Sequence, residues 1–166
     1  MAEQERAIRT RRAIIEAAAT VFDEQGYDAA NIAEILARAG VTKGAMYFHF
    51  PSKEALAETV MLEQSRELPA PDPGSALQTM INLTRHVGQE LRKNPMMRAG
   101  IRLATEQGSF RSHGAPAYLG WIDILESQLL QARNQGEVLA DVEPRNTAEF
   151  IVGSFTGLQM LSQELS

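Results

Sequence analysis

The stretch Ala39-Gly40-Val41-Thr42-Lys43-Gly44-Ala45-Met46-Tyr47-Phe48-His49-Phe50 decides the fold of this 166-residue chain. Before it, Ile32, Ile35, Leu36 and Ala39 recur at helical spacing and stop at Gly40. After it, a second short helix that opens on Thr42 must end before Pro51. Gly40 permits a sharp turn, Val41 plugs the space between the helices, and Thr42 is a good N-cap. Two short helices joined this way have the proportions of a helix-turn-helix. Met46 and Phe50 stand four apart and share one face of the second helix with Thr42, so that face is core. The opposite side presents Gly44, Ala45, Tyr47 and Phe48, with Lys43 and His49 at its flanks. A solvent-facing aromatic pair on so short a helix requires a partner.

Double-stranded DNA suits each of these residues. Gly44 and Ala45 have no bulk, so the helix can sit deep in a major groove, where Lys43 can donate to guanine and Phe48 can meet thymine methyls. The Tyr47 hydroxyl, His49, the Thr42 hydroxyl and Lys53 suit phosphates. The competing reading is that Tyr47 and His49 merely cap a hydrophobic cluster.

Upstream, Ile14, Ala18 and Phe22 form an i, i+4, i+8 row in a helix from Arg6 to Gln25, which Gly26 stops. Downstream, Ser52 caps a fourth helix running through Leu56 and Val60 towards Leu68. The segment Pro69-Ala70-Pro71-Asp72-Pro73-Gly74 is a break. Further helices are expected at about 75–93, 95–106, 116–135 and 145–165, with a Gly- and Ser-containing loop reaching Gly114. No alternating strand pattern and no repeat occurs. The expected fold is all-α: a three-helix head over residues 1–52, joined by the fourth helix to a helical-bundle body over 53–166.

Composition agrees. The hydrophobic fraction of 44% is that of an ordinary globular protein, and there is no cysteine for a disulfide, a thiolate metal site or a nucleophile. No apolar run approaches a bilayer span, and Met1 to Arg12 lacks the apolar region of a secretory signal, so a cytoplasmic protein is expected. Residues 1–53 hold seven Lys/Arg against seven acids, whereas the rest hold nine against fourteen, the whole of the net charge of −5. Between Glu34 and Glu54 there is no acid, while Arg38, Lys43, His49 and Lys53 all fall there. An acidic body with a locally basic head fits a protein that meets phosphate at one end, and chance clustering would look the same.

The run from Ile35 to Leu56 resembles the DNA-binding domain of the tetracycline-repressor (TetR) family, without a gap. Asn31 stands where that family usually has Thr, and Leu36 where it usually has Ala. The resemblance implies Thr42, Lys43, Gly44, Tyr47, Phe48, His49 and Lys53 as the residues at DNA. It extends to the γ-butyrolactone receptor subgroup through Val41 to Phe50, Arg98-Ala99-Gly100-Ile101-Arg102-Leu103, Trp121 and Gly153-Ser154-Phe155-Thr156-Gly157. The subgroup implies repression of secondary-metabolism genes, relieved by a small lipophilic lactone or furan. The family's chains commonly continue for tens of residues past this point, which implies either further C-terminal helices or a smaller dimer than usual.

The body accommodates such a sensor. Leu56, Val60 and Gln64 put an amide at the end of an apolar stripe, Trp121 lies on an apolar side, and Val152, Thr156 and Met160 put a hydroxyl in an apolar row. On spacing alone the simpler reading is that Trp121 is plain core, Gln64 snorkels and Thr156 bonds back to its own helix; the resemblance implies Trp121, Gln64 and Thr156 as ligand-binding residues. The last helix is apolar on more than one side, with Gly153 and Gly157 permitting close approach, which suggests a homodimer. A two-fold dimer would place two recognition helices about 34 Å apart on a palindromic operator. An enzyme is not expected: His49, His86 and His113 are scattered, Ser154 does not sit in a nucleophile elbow, and Ser109, Ser112 and His113 share one loop. No cofactor and no metal are implied. The competing class is an architectural DNA binder that senses nothing, which ligand-dependent release would distinguish.

Overall fold

The computed structural model describes residues 2–64, 69–105 and 111–164. Among them the chain is all-α, with α1 (Ala2–Ala29), α2 (Ile32–Ala39), α3 (Lys43–His49), α4 (Lys53–Glu63), α5 (Ala76–Glu90), α6 (Pro95–Thr105), α7 (Arg111–Asn134) and α8 (Pro144–Glu164). The chain forms two compact units, Met1–Glu67 with Glu90–Gly114, and Leu68–Gln89 with Ala115–Ser166. No described helix is long and apolar enough to cross a membrane.

In the first unit, the Ile14, Ala18 and Phe22 row of α1 is fully buried, with Val21 and Ala19 beside it. α1 packs on α6, α2, α4 and α3, and α4 packs on α6. The facing side chains Ile35, Met46, Leu56, Val60, Met97 and Leu103 are equally inaccessible. Gly26 breaks α1 as expected, at φ 77° and ψ 179°. One further turn follows, in which Ala30 donates to the Gly26 carbonyl. That turn brings Tyr27 against Phe22, ring centroids 6.0 Å apart.

Asp23, one turn before the break, ties α6 to α1. The Arg98 Nη2 and Nε donate to its carboxylate at 2.6 and 3.0 Å, and Arg102 Nη1 donates to its backbone carbonyl at 2.6 Å. Arg98 also donates to the Leu91 carbonyl. The carboxylate raises the Arg98 pKa further above its usual value. A fork of charge-assisted bonds of this kind fixes orientation as well as contributing energy.

In the second unit, α5 buries Ala76, Met80, Leu83 and Val87, spaced as one helical stripe. α7 buries Leu125, Leu129 and Ala132, and α8 buries Ala148. α7 ends at Gly136, φ 72°, where Glu137 donates to the Ala132 carbonyl and Gly136 to that of Arg133. This Schellman ending satisfies carbonyls left open by the last turn. It also delivers two side chains to α5: Gln135 Oε1 accepts from the Ala76 amide and Glu137 Oε2 from the Leu77 amide. Those amides, with Ser75, hold the Glu137 carboxyl below its usual pKa. Pro144 opens α8, where its missing N–H costs nothing. Arg145 reaches from α8 to Asp123 and Glu126 of α7.

The boundaries differ from expectation chiefly in two places. α1 begins at Ala2 rather than Arg6 and resumes past Gly26 to Ala29. α7 begins at Arg111 rather than near 116, so Ser112 and His113 lie in a helix and not in a connecting loop. The Gly and Ser content up to Gly114 suggested a loop, but such propensities yield to tertiary context. Ser109, and the end of the fourth helix towards Leu68, lie outside the described residues.

Tyr27 reports on the seam between α1 and α4. Its hydroxyl donates to Glu54, and burial, followed by the Glu54 charge, pushes its pKa up from 10 to about 12. The folded form therefore keeps a proton that the unfolded chain loses above pH 10, so this contribution is present below pH 10 and lost as pH rises to about 12. Unfolding free energy measured in urea across that window should fall by about 2 kcal/mol more in the wild type than in Tyr27→Phe.

Candidate nucleic-acid interface

The turn between α2 and α3 is built almost wholly from backbone. Gly40 adopts φ 65° and ψ 34°, a left-handed conformation that suits glycine. Val41 donates to the Leu36 carbonyl and Gly40 to the Ala37 carbonyl, again a Schellman ending. Each neighbouring helix starts on a side-chain cap. Asn31 Oδ1 accepts from Ala33 N at 2.8 Å, Thr42 Oγ1 from Ala45 N at 3.2 Å, and Ser52 Oγ from Ala55 N at 3.2 Å. Asn31 thus does the work of the threonine expected at that position.

α3 has the two faces its spacing implies, except that Thr42, expected on the core face, is exposed at the N-cap. Met46 is fully buried and Phe50 is 3% exposed, whereas Tyr47 is 45% and Phe48 82% exposed. Thr42, Lys43 and Gly44 are exposed, and Ala45 and His49 are half-buried. The Phe48 and His49 rings meet edge to face at 5.1 Å, and Lys43 Nζ stands 5.9 Å from the Tyr47 ring centroid. Phe48 leaves most of its ring in water, whereas the half-buried His49 also stands 6.3 Å from the ring of buried Phe50. Lys53 holds its Nζ 4.6 Å above the Tyr27 ring, a cation–π contact that fixes the ammonium at the start of α4.

Arg38 departs from the expected basic patch. Its guanidinium donates to both Glu24 oxygens at 2.9 and 2.6 Å and to Glu34 at 2.7 Å, while Gln25 donates to the other Glu34 oxygen. These bonds raise the Arg38 pKa and lower those of Glu24 and Glu34. Arg38 is a clamp between α1 and α2. Arg11, which the sequence reading passed over, stands 5.2 Å from the Phe50 ring centroid and 3.9 Å from Glu63.

The ligand candidates fall in different units. Gln64, in the first, is 2% exposed and closes α4. Trp121, in the second, is half-buried on α7. Thr156 on α8, also half-buried, donates to the Val152 carbonyl at 3.0 Å, so its hydroxyl bonds back to its own helix. It is also hydrogen-bonded to Tyr118, whose phenol is pushed up chiefly by burial. Tyr118 was missed as a partner, although it lies three residues before Trp121 on the same helix face.

A three-helix head with a two-faced third helix and a backbone-built turn defines a helix-turn-helix protein. The chain belongs to the tetR family of bacterial regulatory proteins: residues 14–60 match that family's model, and residues 74–166 match the tetracyclin repressor-like C-terminal domain. It is 46% identical over 164 residues to the A-factor receptor protein of Streptomyces griseus, covering 98% of this chain and 58% of that protein's length. A solved γ-butyrolactone receptor described as ArpA-like is 38% identical with a TM-score of 0.77, covering 92% of this chain and 83% of that one. CprB from Streptomyces coelicolor, solved with its biological operator sequence, is 39% identical with a TM-score of 0.74, covering 90% and 77%. These relatives are regulators and receptors, in line with the expectation that the chain is not an enzyme.

The Thr42 cap gives a direct test of how α3 is held. Thr42→Ala should lower unfolding stability by about 1 kcal/mol in urea titrations, and Thr42→Asn should restore most of it.

Proposed function

We propose that this protein is a DNA-binding transcriptional repressor that acts as a homodimer in the cytoplasm on a palindromic operator. A small lipophilic effector of the γ-butyrolactone or furan type releases it and so controls secondary metabolism. The observation that carries the reading is Phe48, 82% exposed on a helix whose opposite face is core. A large ring held in water beside Tyr47 and Lys43 is a contact surface awaiting a groove. Thr42, Lys43, Gly44, Tyr47, Phe48, His49 and Lys53 are the proposed DNA residues. Lys43 and Phe48 read bases, and Lys53, with Thr42, Tyr47 and His49, positions the backbone.

The effector reading is supported by similarity to proteins named as an A-factor receptor and a γ-butyrolactone receptor, and the operator by similarity to CprB. Trp121 and Thr156 are the proposed effector contacts in the second unit, and Gln64 is the one in the first. For the dimer, the support is on α8, where Phe150, Leu158, Met160 and Leu161 are 54–74% exposed in the single chain. A Cβ at Gly153 or Gly157 would meet nothing within 4 Å. Apolar side chains so placed suit a second subunit. Release follows by population shift: effector favours a dimer state whose heads no longer match the operator, and only its differential affinity for that state can drive the change.

A mobility-shift assay on the gene's own upstream DNA tests the whole reading. A retarded band that a hydroxylated γ-butyrolactone abolishes is expected, and a band the lactone leaves unchanged or strengthens counts against it. Lys43→Ala and Phe48→Ala should each relax base preference by about 1–3 kcal/mol at one position. Lys53→Gln should weaken binding to all sequences and reduce the salt slope by about 1, with equal slopes refuting the phosphate role. Trp121→Ala should lose lactone affinity in calorimetry while operator binding persists.

A further inference from the structure

Lys53 is the first residue of α4, directly after the Ser52 cap. A cation there opposes the helix dipole, whose positive end lies at the same place. Its neighbour Glu54 is the kind of residue that the position favours. Helix stability therefore does not explain the lysine. Both residues are met by one side chain of α1, Tyr27. The Lys53 Nζ stands 4.6 Å from the Tyr27 ring centroid, and the Tyr27 hydroxyl donates to Glu54. The face and the tip of one phenol thus hold two adjacent residues of opposite charge.

Tyr27 is a firm support. It is 6% exposed, and its ring stacks on that of the fully buried Phe22, with centroids 6.0 Å apart and planes 25° apart. The break at Gly26 puts it there, because the chain leaves the helical path for one residue and resumes with Tyr27 against the start of α4. A leucine at position 27 would also bury apolar surface, but it would hold neither charge. Lys53 itself is half-buried, in keeping with a stem that is covered and a head group at the surface. An ammonium has three N–H donors, so one side can rest on a ring while another meets a phosphate oxygen.

We propose that Tyr27 is a positioning residue of the DNA interface, whose ring holds the Lys53 ammonium where a backbone phosphate meets the start of α4. The inference rests on the phosphate contact proposed above for Lys53 and adds the residue that sets it. A lysine side chain loses rotamer freedom when it is fixed on a partner, and one already held on a ring has less to lose. The contact is thereby referenced to the buried row of α1 as well as to α4.

The test measures binding of the full chain to the gene's own upstream DNA and to an unrelated duplex of equal length. Tyr27→Leu should weaken both about two- to fivefold, since phosphate contacts carry no sequence information. In a Lys53→Gln background the same change should weaken neither further, and Tyr27→Phe, which keeps the ring, should retain the Lys53 contribution. Proton NMR of the wild type reads the contact without altering the core. The Lys53 ε-methylene signal, identified by its absence from Lys53→Gln, should lie upfield of that of Lys93 through the ring current and stay there when DNA is added. Equal losses from Tyr27→Leu with and without Lys53 overturn the positioning role alone, as does a Lys53 signal that leaves its upfield position on binding. If Lys53→Gln binds both duplexes as the wild type does, the phosphate role of Lys53 is refuted and the proposal with it. A wild type that binds neither duplex overturns the DNA reading itself.

Discussion

The fork between Arg98 and Asp23 is the constraint on which the first unit depends. It joins positions 75 apart in sequence, and its shortest bond is 2.6 Å. Apolar packing of α6 on α1 does not by itself set their register, because apolar contact is non-directional. With it, and with Arg102 on the carbonyl of the same residue, α6 has one rotation and one height along α1. Gly100 then falls where it does because Arg98 and Arg102 bracket it. The compact unit so formed includes α4 and α6 with the first three helices, whereas the functional boundary drawn from sequence falls after Ser52.

Much of this was legible because it is local. The caps at Thr42 and Ser52, the stop at Gly26 and the turn at Gly40 each involve residues within a few positions of one another, where sequence distance and spatial distance coincide. The two-faced α3 was legible for the same reason, since helical period alone separates Met46 and Phe50 from Tyr47 and Phe48. The Asp23 fork, the α5 amides held by Gln135 and Glu137, and the Tyr118–Thr156 bond were not legible. Their members are remote in sequence, and an isolated Asp, Gln or Tyr carries no sign of its partner. Gln64 stands between these cases: its place at the end of an apolar stripe was readable, but its close approach to Gly100 was not.

Electrostatics shows how a charge count misleads. Arg38, Lys43, His49 and Lys53 read as a run of cations unopposed by acids in their own stretch. Folding brings Glu24 and Glu34 onto Arg38 from the preceding helix and from its own. It leaves Lys43 near a tyrosine ring, which neutralises no charge. The positive field of the head is thus narrower than its composition suggests.

The α2–α3 turn has a consequence for how this protein can change its target. Its geometry rests on one glycine conformation, two main-chain hydrogen bonds and a threonine cap, and none of these uses an outward-facing side chain of α3. Positions 43, 47 and 48 are consequently decoupled from the scaffold that aims them. Reading and folding are separate modules of the same helix, so its vocabulary can be rewritten while its grammar stays in place.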